Sequence, residues 1–331
     1  MDSSGNRSRY EYLNEQMKEV PLIEFSSVCK SFAGKKVLDN ITFNISKGEL
    51  FGLIGTSGAG KTTLLKLLIG FYSPDSGKIL YKGKDITNDV DNIRKIFGFT
   101  TQDNCFYDEL NLLDNMRYFG KMYGMSSKLI REKSEYLLKL VGLWDGRMKK
   151  TCDLSGGMQR RLDLAISLIH NPEILILDEP TTGLDLIIRK RMWQLIQQIN
   201  RMGVTIIMSS HMLDEMEHLC NDIAMIKDGK IIIRGSPKQL GMFYSTNEEV
   251  HLETSPGRYK PLLSQLSNSG VRVYYPRMED NRLIFYTPSA YAIIKILLPV
   301  LESMEEKLIG IKIDKPSLDE VFEAVSAYTQ K

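Results

Sequence analysis

One run of nine residues constrains this chain more than any other feature. Gly55-Thr-Ser-Gly-Ala-Gly-Lys-Thr-Thr63 stands between an apolar stretch, Leu50 to Ile54, and a helical pattern from Thr63 to Ile69. It fills the spacing G-x-x-x-x-G-K-[ST]. Glycines at 55, 58 and 60 let backbone N–H groups turn inward around phosphate oxygens, in conformations that a side chain opposes. A helix starting directly behind the loop adds partial positive charge under the same oxygens. Thr56, Ser57 and Ala59 complete the loop. Lys61 is placed to reach the β- and γ-phosphates, the Thr62 hydroxyl to ligate Mg²⁺, and Thr63 to continue the helix start. The predicted ligand is Mg·ATP. A glycine loop arising by chance is the alternative, and the strand before it and helix after it argue against that.

The surrounding pattern fits the loop. Ile41, Phe43 and Ile45 alternate with polar residues as in a half-buried strand. Further strands are expected at GKILYKGKDI, at Lys95 to Thr100, at Ile174 to Leu177 and at Val204 to Met208. Residues from about Asn111 to His170 read as mostly helical, with Ser127 a plausible N-cap and Ile130, Leu137 and Val141 on one face. Strands alternating with helices indicate a parallel sheet covered on both faces. Beyond Gly241 the pattern restarts as βαββαβ plus a last helix, the order of a ferredoxin-like module. Pro299 is expected to kink or stop the helix it falls in. Ser317 with Glu320 makes a capping box for the last helix, whose apolar face is Leu318, Val321, Phe322 and Val325.

Two carboxylates close an apolar strand in Ile174-Leu-Ile-Leu-Asp178-Glu179. Ligands of open α/β sheets bind beyond the carboxyl ends of the strands. Asp178 is therefore a candidate Mg²⁺ ligand, and Glu179 a candidate base for the water that attacks the γ-phosphorus. Gln102 and His211 follow two other strands at the same rim. A glutamine there can touch metal and water, and an imidazole can hydrogen-bond the γ-phosphate. Taken singly, each of these is an ordinary surface polar group. In Leu154-Ser155-Gly156-Gly157-Met158-Gln159-Arg160-Arg161 a serine and two glycines open another helix, a second anion-binding start with no β-carbon to block approach. His211, Glu215 and His218 share a helical spacing that a metal could use. The acids around them (Asp214, Glu215, Glu217) read instead as an exposed helix face.

In this order, from about Leu22 to Phe243, the motifs resemble the ATP-binding subunits of ABC transporters: the loop at 55–63, Gln102, LSGGM at 154–158, ILILDEP at 174–180, TTGLD at 181–185 and His211. The resemblance implies a P-loop α/β fold of ABC type, a mixed or parallel sheet with an antiparallel β subdomain and a helical subdomain at about 103–170. It implies a head-to-tail pair of subunits, with a homodimer expected. ATP then lies between one subunit's Gly55–Thr63 loop and its partner's Ser155, Gly156 and Gly157, with Asp185 at the seam and Phe32 stacked on adenine. Phe32, Ser57, Thr101 and Met158 each replace a residue commoner in the family. Asp314 to Phe322 is similar to the C-terminal segment of the drug-, lipid- and polysaccharide-export branch, where it closes an appended regulatory or dimer-supporting domain.

The expected organisation is a mobile arm over 1–20, an ATPase domain over 21–243 and a small α+β, ferredoxin-like domain over 247–331. A net charge of +2, from 43 basic and 41 acidic residues, gives no reason to expect nucleic acid as a partner. Four scattered cysteines suggest neither disulfides nor a cysteine metal site. The polar N-terminus lacks a signal peptide's apolar core, and no apolar run is long enough to span a bilayer. An integral membrane permease must then be a separate chain, with this one cytoplasmic and peripheral on the inner face of the cell membrane. The rival reading is a soluble ABC-type ATPase not engaged in transport, acting in DNA repair, on ribosomes or in assembly. Against it stand the absence of a heptad run between Thr62 and Ser155, a single cassette, and the appended C-terminal module.

Overall fold

The computed structural model describes residues 20–101, 105–244, 248–279 and 282–314. Gln102, the N-terminal arm up to residue 19, and the Ser317–Glu320 capping box with its apolar face lie outside the described residues. The chain divides into two units, Met1–Ile233 and Arg234–Lys331.

The first unit is built on two sheets. β1 (Ile23–Phe32), β2 (Lys35–Ile45), β4 (Ser76–Tyr81) and β5 (Lys84–Asp85) form an antiparallel sheet in the order β2-β1-β4-β5. The second sheet has six strands: β3 (Leu50–Ile54), β6 (Phe97–Thr100), β7 (Ile174–Asp178), β8 (Thr205–Ser210), β9 (Asp222–Lys227) and β10 (Lys230–Gly235). Their order is β10-β9-β3-β8-β7-β6, with β9, β3, β8, β7 and β6 paired in parallel. β3 and β7 are buried at every residue, which is why they read as unbroken apolar runs rather than alternating ones. A stack of three rings, Phe25–Phe43 at 4.6 Å and Phe43–Phe51 at 5.2 Å, joins the two sheets into one core.

The register decides where the chemistry goes. Ile54 pairs with Ser210, Asp178 with Ser209, and Thr100 with Leu177, so the carboxyl ends of β3, β8, β7 and β6 share one rim. The glycine loop, Glu179 and His211 leave from that rim. Lys95 falls in a helix, α2 (Val90–Ile96), rather than at the head of β6 as the sequence suggested.

The first unit also contains α1 (Lys61–Leu68), α3 (Leu112–Met122), α4 (Ser127–Leu140), α5 (Gly156–Ser167), α6 (Leu186–Arg201) and α7 (Leu213–Leu219). α3 and α4 approach closely because Gly120 has no side chain; a β-carbon there would meet Ile130 Cγ1 at 2.7 Å. The cap of α4 is Ser126, not Ser127, since the Ser126 hydroxyl accepts from Leu129 N. The fully buried Asn115 receives the Tyr107 N–H and donates to the Tyr107 carbonyl, pinning the chain that leads into α3.

The second unit contains α8 (Pro237–Tyr244), β11 (Glu248–Ser255), α9 (Tyr259–Asn268), β12 (Tyr274–Glu279), β13 (Arg282–Thr287), α10 (Ala290–Ser303) and β14 (Lys307–Asp314). Its sheet runs β12-β13-β11-β14, so β11 through β14 realise the ferredoxin-like order. Val250, Leu252, Leu283 and Phe285 pack under Leu262, Leu266, Ile293 and Leu297 as a separate core. Pro299 neither stops nor shortens α10, which continues to Ser303. Both Pro299 and Lys295, whose carbonyl loses its partner, are exposed, so the carbonyl is open to solvent rather than buried unpaired. Among the described residues no helix is long and apolar enough to cross a membrane.

Candidate nucleotide site

The loop after β3 has the geometry that its glycines predict. Gly58 and Gly60 adopt φ of 80° and 111°, and Gly60 caps α1 in a left-handed conformation. A β-carbon at Gly55 would lie 2.3 Å from the Ile226 carbonyl oxygen, so that glycine is demanded by the protein itself. At Gly58 a β-carbon would meet nothing within 4 Å. There the demand is the backbone angle, on the open side of the loop. Lys61 is 5 % exposed and donates from Nζ to the carbonyls of Gly55 (2.7 Å) and Thr56 (3.2 Å). Burial pulls its pKa down, offset in part by the charges of Glu179 and Asp178. Thr62 lies at the helix start, exposed, with Thr63 half-buried beside it. Such a loop, with its lysine held inside and a helix N-terminus behind, fits a polyphosphate.

Glu179 occupies the centre of the rim. Its Oε1 stands 3.9 Å from Lys61 Nζ, and its Oε2 accepts from Thr182 Oγ1 at 3.0 Å and lies 3.3 Å from His211 Nδ1. The backbone at Glu179 is left-handed, φ 51°, a conformation that costs a non-glycine residue energy and clusters at functional sites. It is tied there by bonds from its N–H to the Ser209 carbonyl and hydroxyl at 3.2 and 3.1 Å. The buried Asp178 carboxylate accepts from Ser209 Oγ at 2.5 Å. Lys61, Asp178, Glu179 and His211 are thus brought together from three strands.

Phe32 is 38 % exposed and makes an edge contact with Tyr72 at 5.0 Å, so one part of its ring stays open. Asp185 caps α6, with Oδ1 accepting from Ile187 N and Ile188 N at 3.0 and 2.9 Å. Ser155 caps α5, but its side chain makes no capping bond, and the hydroxyl is exposed. The two glycines after it differ. A β-carbon on Gly156 would find open space, whereas on Gly157 it would strike Ile188 Cγ2 at 2.6 Å. Gly157 is therefore required by the packing of α5 on α6, and only Gly156 has the open face expected of both.

Sequence reasoning missed Thr182 and Ser209, which hold the two carboxylates. The adjacent polar pairs Thr181-Thr182 and Ser209-Ser210 at strand ends were the available signal. It also placed Glu215 on an exposed face, whereas the structure buries that residue completely. The His211, Glu215 and His218 spacing consequently does not present three side chains to one ion. Glu215 turns into the core, and His218 stacks on Trp193 at 5.3 Å.

Residues 38–182 match the model of the ABC transporter family. The chain is 38 % identical over 218 residues to Nod factor export ATP-binding protein I of Paraburkholderia xenovorans, an alignment covering 66 % of this chain and 72 % of that one. The protein of the same name from Rhizobium sp. strain N33 is 37 % identical over the same shares. Among solved structures, cbiO1 from Clostridium perfringens, described as part of the ABC transporter complex cbiONQ, superposes with a TM-score of 0.64 at 28 % identity, over 69 % of this chain and 92 % of that one. The chain belongs to the ABC transporter family, as one of its ATP-binding, ATP-hydrolysing subunits.

Proposed function

We propose that this subunit powers export through a separate membrane permease, by closing and opening a head-to-tail pair of its own copies around two ATP molecules. The observation that carries the catalytic part is the position of the Glu179 carboxylate, between Lys61 at 3.9 Å and His211 at 3.3 Å. Residues 55–63 hold the phosphates and Phe32 stacks on adenine. Thr62, Asp178 and Gln102 are the residues that would hold Mg²⁺, and the ion when bound would neutralise phosphate charge. Glu179, aimed by Thr182, orients the attacking water and accepts its proton. His211 donates to the γ-phosphate, so its contact is lost once phosphate departs.

The exposed Ser155 hydroxyl and open Gly156 support a second grip on the same nucleotide from the partner subunit. Two-sided ligation closes the pair, and hydrolysis removes the shared contacts. Export is supported by the Nod factor export relatives. A permease contact is supported by a cavity of about 280 Å³ lined by Phe71, Phe97, Phe99, Phe119 and Tyr123, where Phe71 is 65 % exposed. Such a subunit works in the cytoplasm at the inner face of the membrane, and its C-terminal unit supports or regulates pairing.

Glu179→Gln keeps the shape and removes the base. It should bind ATP normally, lose about a hundredfold or more in kcat, and accumulate ATP-bound dimers on size exclusion. Turnover at the wild-type rate would remove Glu179 from the mechanism.

A further inference from the structure

Glu215 lies on α7, one helical turn after His211, in a run of acids that by composition belongs in water. It is instead fully buried. Its Oε1 accepts from Thr181 Oγ1 at 2.7 Å and from Trp193 Nε1 at 2.9 Å. Oε2 has no hydrogen-bond partner among the described residues, and the Ser210 side chain is close enough to favour the carboxyl's charged form. Burial raises the carboxyl's pKa above its ordinary value. A buried acid satisfied on one oxygen is a poor device for stability, since apolar replacements of similar volume are often neutral or better. Its presence needs another reason, and its three neighbours supply one.

Thr181 precedes Thr182, whose hydroxyl donates to Glu179 Oε2. Ser210 precedes His211, whose Nδ1 lies beside that same oxygen, and Ser210 Oγ also accepts from Met212 N at 3.0 Å. Trp193 belongs to α6, the helix that Asp185 caps. Glu215 itself lies on α7, which starts two residues after His211, so one carboxyl ties the segment carrying His211 to the turn after β7 and to α6.

We propose that Glu215 is a positioning residue for ATP hydrolysis, clamping the Thr181–Thr182 turn against the Ser210–His211 turn so that the Glu179 carboxylate keeps its aim. The inference rests on the role given to Glu179 above. Glu215, fully buried, acts through Thr181 and the turn that follows. A misplacement of about 1 Å at a reacting group can cost about a hundredfold in rate, so a clamp of this kind is felt in kcat rather than in ATP affinity.

The test is steady-state ATPase kinetics on the full chain, with thermal melting as a check on folding. Glu215→Gln keeps the acceptor oxygen and the volume, and is expected within about twofold of the wild-type kcat. Glu215→Leu and Thr181→Val should each lower kcat about tenfold or more with KM within about twofold. The double variant should be no slower than the slower single, because both break one link. A folded Glu215→Leu protein with wild-type kcat overturns the proposal, as does a Gln variant as slow as the Leu one, or single effects that multiply. Should Glu215→Leu fail to fold, Thr181→Val against Thr181→Ser decides. A slow Val with a normal Ser supports the clamp, and equal rates refute it. Glu179→Gln in the same assay separates the two readings. If it turns over normally, the role of Glu179 fails and the clamp with it. If it is inactive while Glu215→Leu is normal, only the clamp fails.

Discussion

At the residue scale, Asp163 on α5 shows how burial and hydrogen bonding set the character of an acid. Asp163, 5 % exposed, has its carboxyl pushed up to about 7, because burial disfavours the charged form more than the Cys105 N–H and the Arg160 charge favour it. In the unfolded chain the same group ionises near its ordinary 3.8. Between those values the folded state binds more proton, so stability falls as pH rises through the window and is fully restored only below it. Asp163→Asn removes this titration and keeps an acceptor for Cys105 N. It should stabilise the first unit by about 1–3 kcal/mol at pH 8 and by much less at pH 4, read by urea unfolding at both values. A gain independent of pH would show that the carboxyl is ionised throughout.

At the element scale, the two helices that start behind glycines, α1 and α5, show that such glycines answer to different demands. Gly157→Ala places a methyl 2.6 Å from Ile188 Cγ2, on a β-branched side chain with little freedom to turn away. Overpacking of this kind costs about 1–3 kcal/mol, against at most about 1 kcal/mol gained from helix propensity, so the variant should melt lower. Gly157→Ala combined with Ile188→Ala should recover relative to the Ile188→Ala background, whereas an undiminished loss would mean the contact is not its cause. The opening of this helix at Ser155 was legible in the sequence, and so was the helix behind the glycine loop, though with its start read at Thr63 rather than the observed Lys61, because caps, glycine spacing and adjacent apolar runs are local. The different reasons for Gly156 and Gly157 were not legible, because Ile188 is distant in sequence and the helix crossing decides the contact.

At the scale of the whole molecule, the chain divides into two units with separate cores, so unfolding is expected in two separable transitions. Glu306 offers a handle on one of them. Burial alone would raise its pKa, yet bonds from Gly257 N, Arg258 N and the Arg258 side chain hold it down at about 2. Its contribution is therefore present above its ordinary 4.5 and lost as pH falls toward 2. Glu306→Gln should lower the melting of the second unit at pH 7, leave the first unchanged, and matter little near pH 2. A shift of both transitions together would show the units to be one cooperative block. The amino-acid sequence by itself determined the α/β class, the phosphate loop, the strand-end acids and the βαββαβ module, since each rests on short-range backbone chemistry or periodicity. Only the tertiary structure decided that Ser209 serves Asp178, that Glu179 sits in a left-handed turn, and that Glu215 lies in the core. Those outcomes depend on which strands become neighbours and on which buried donors meet an acid, and no local pattern encodes them.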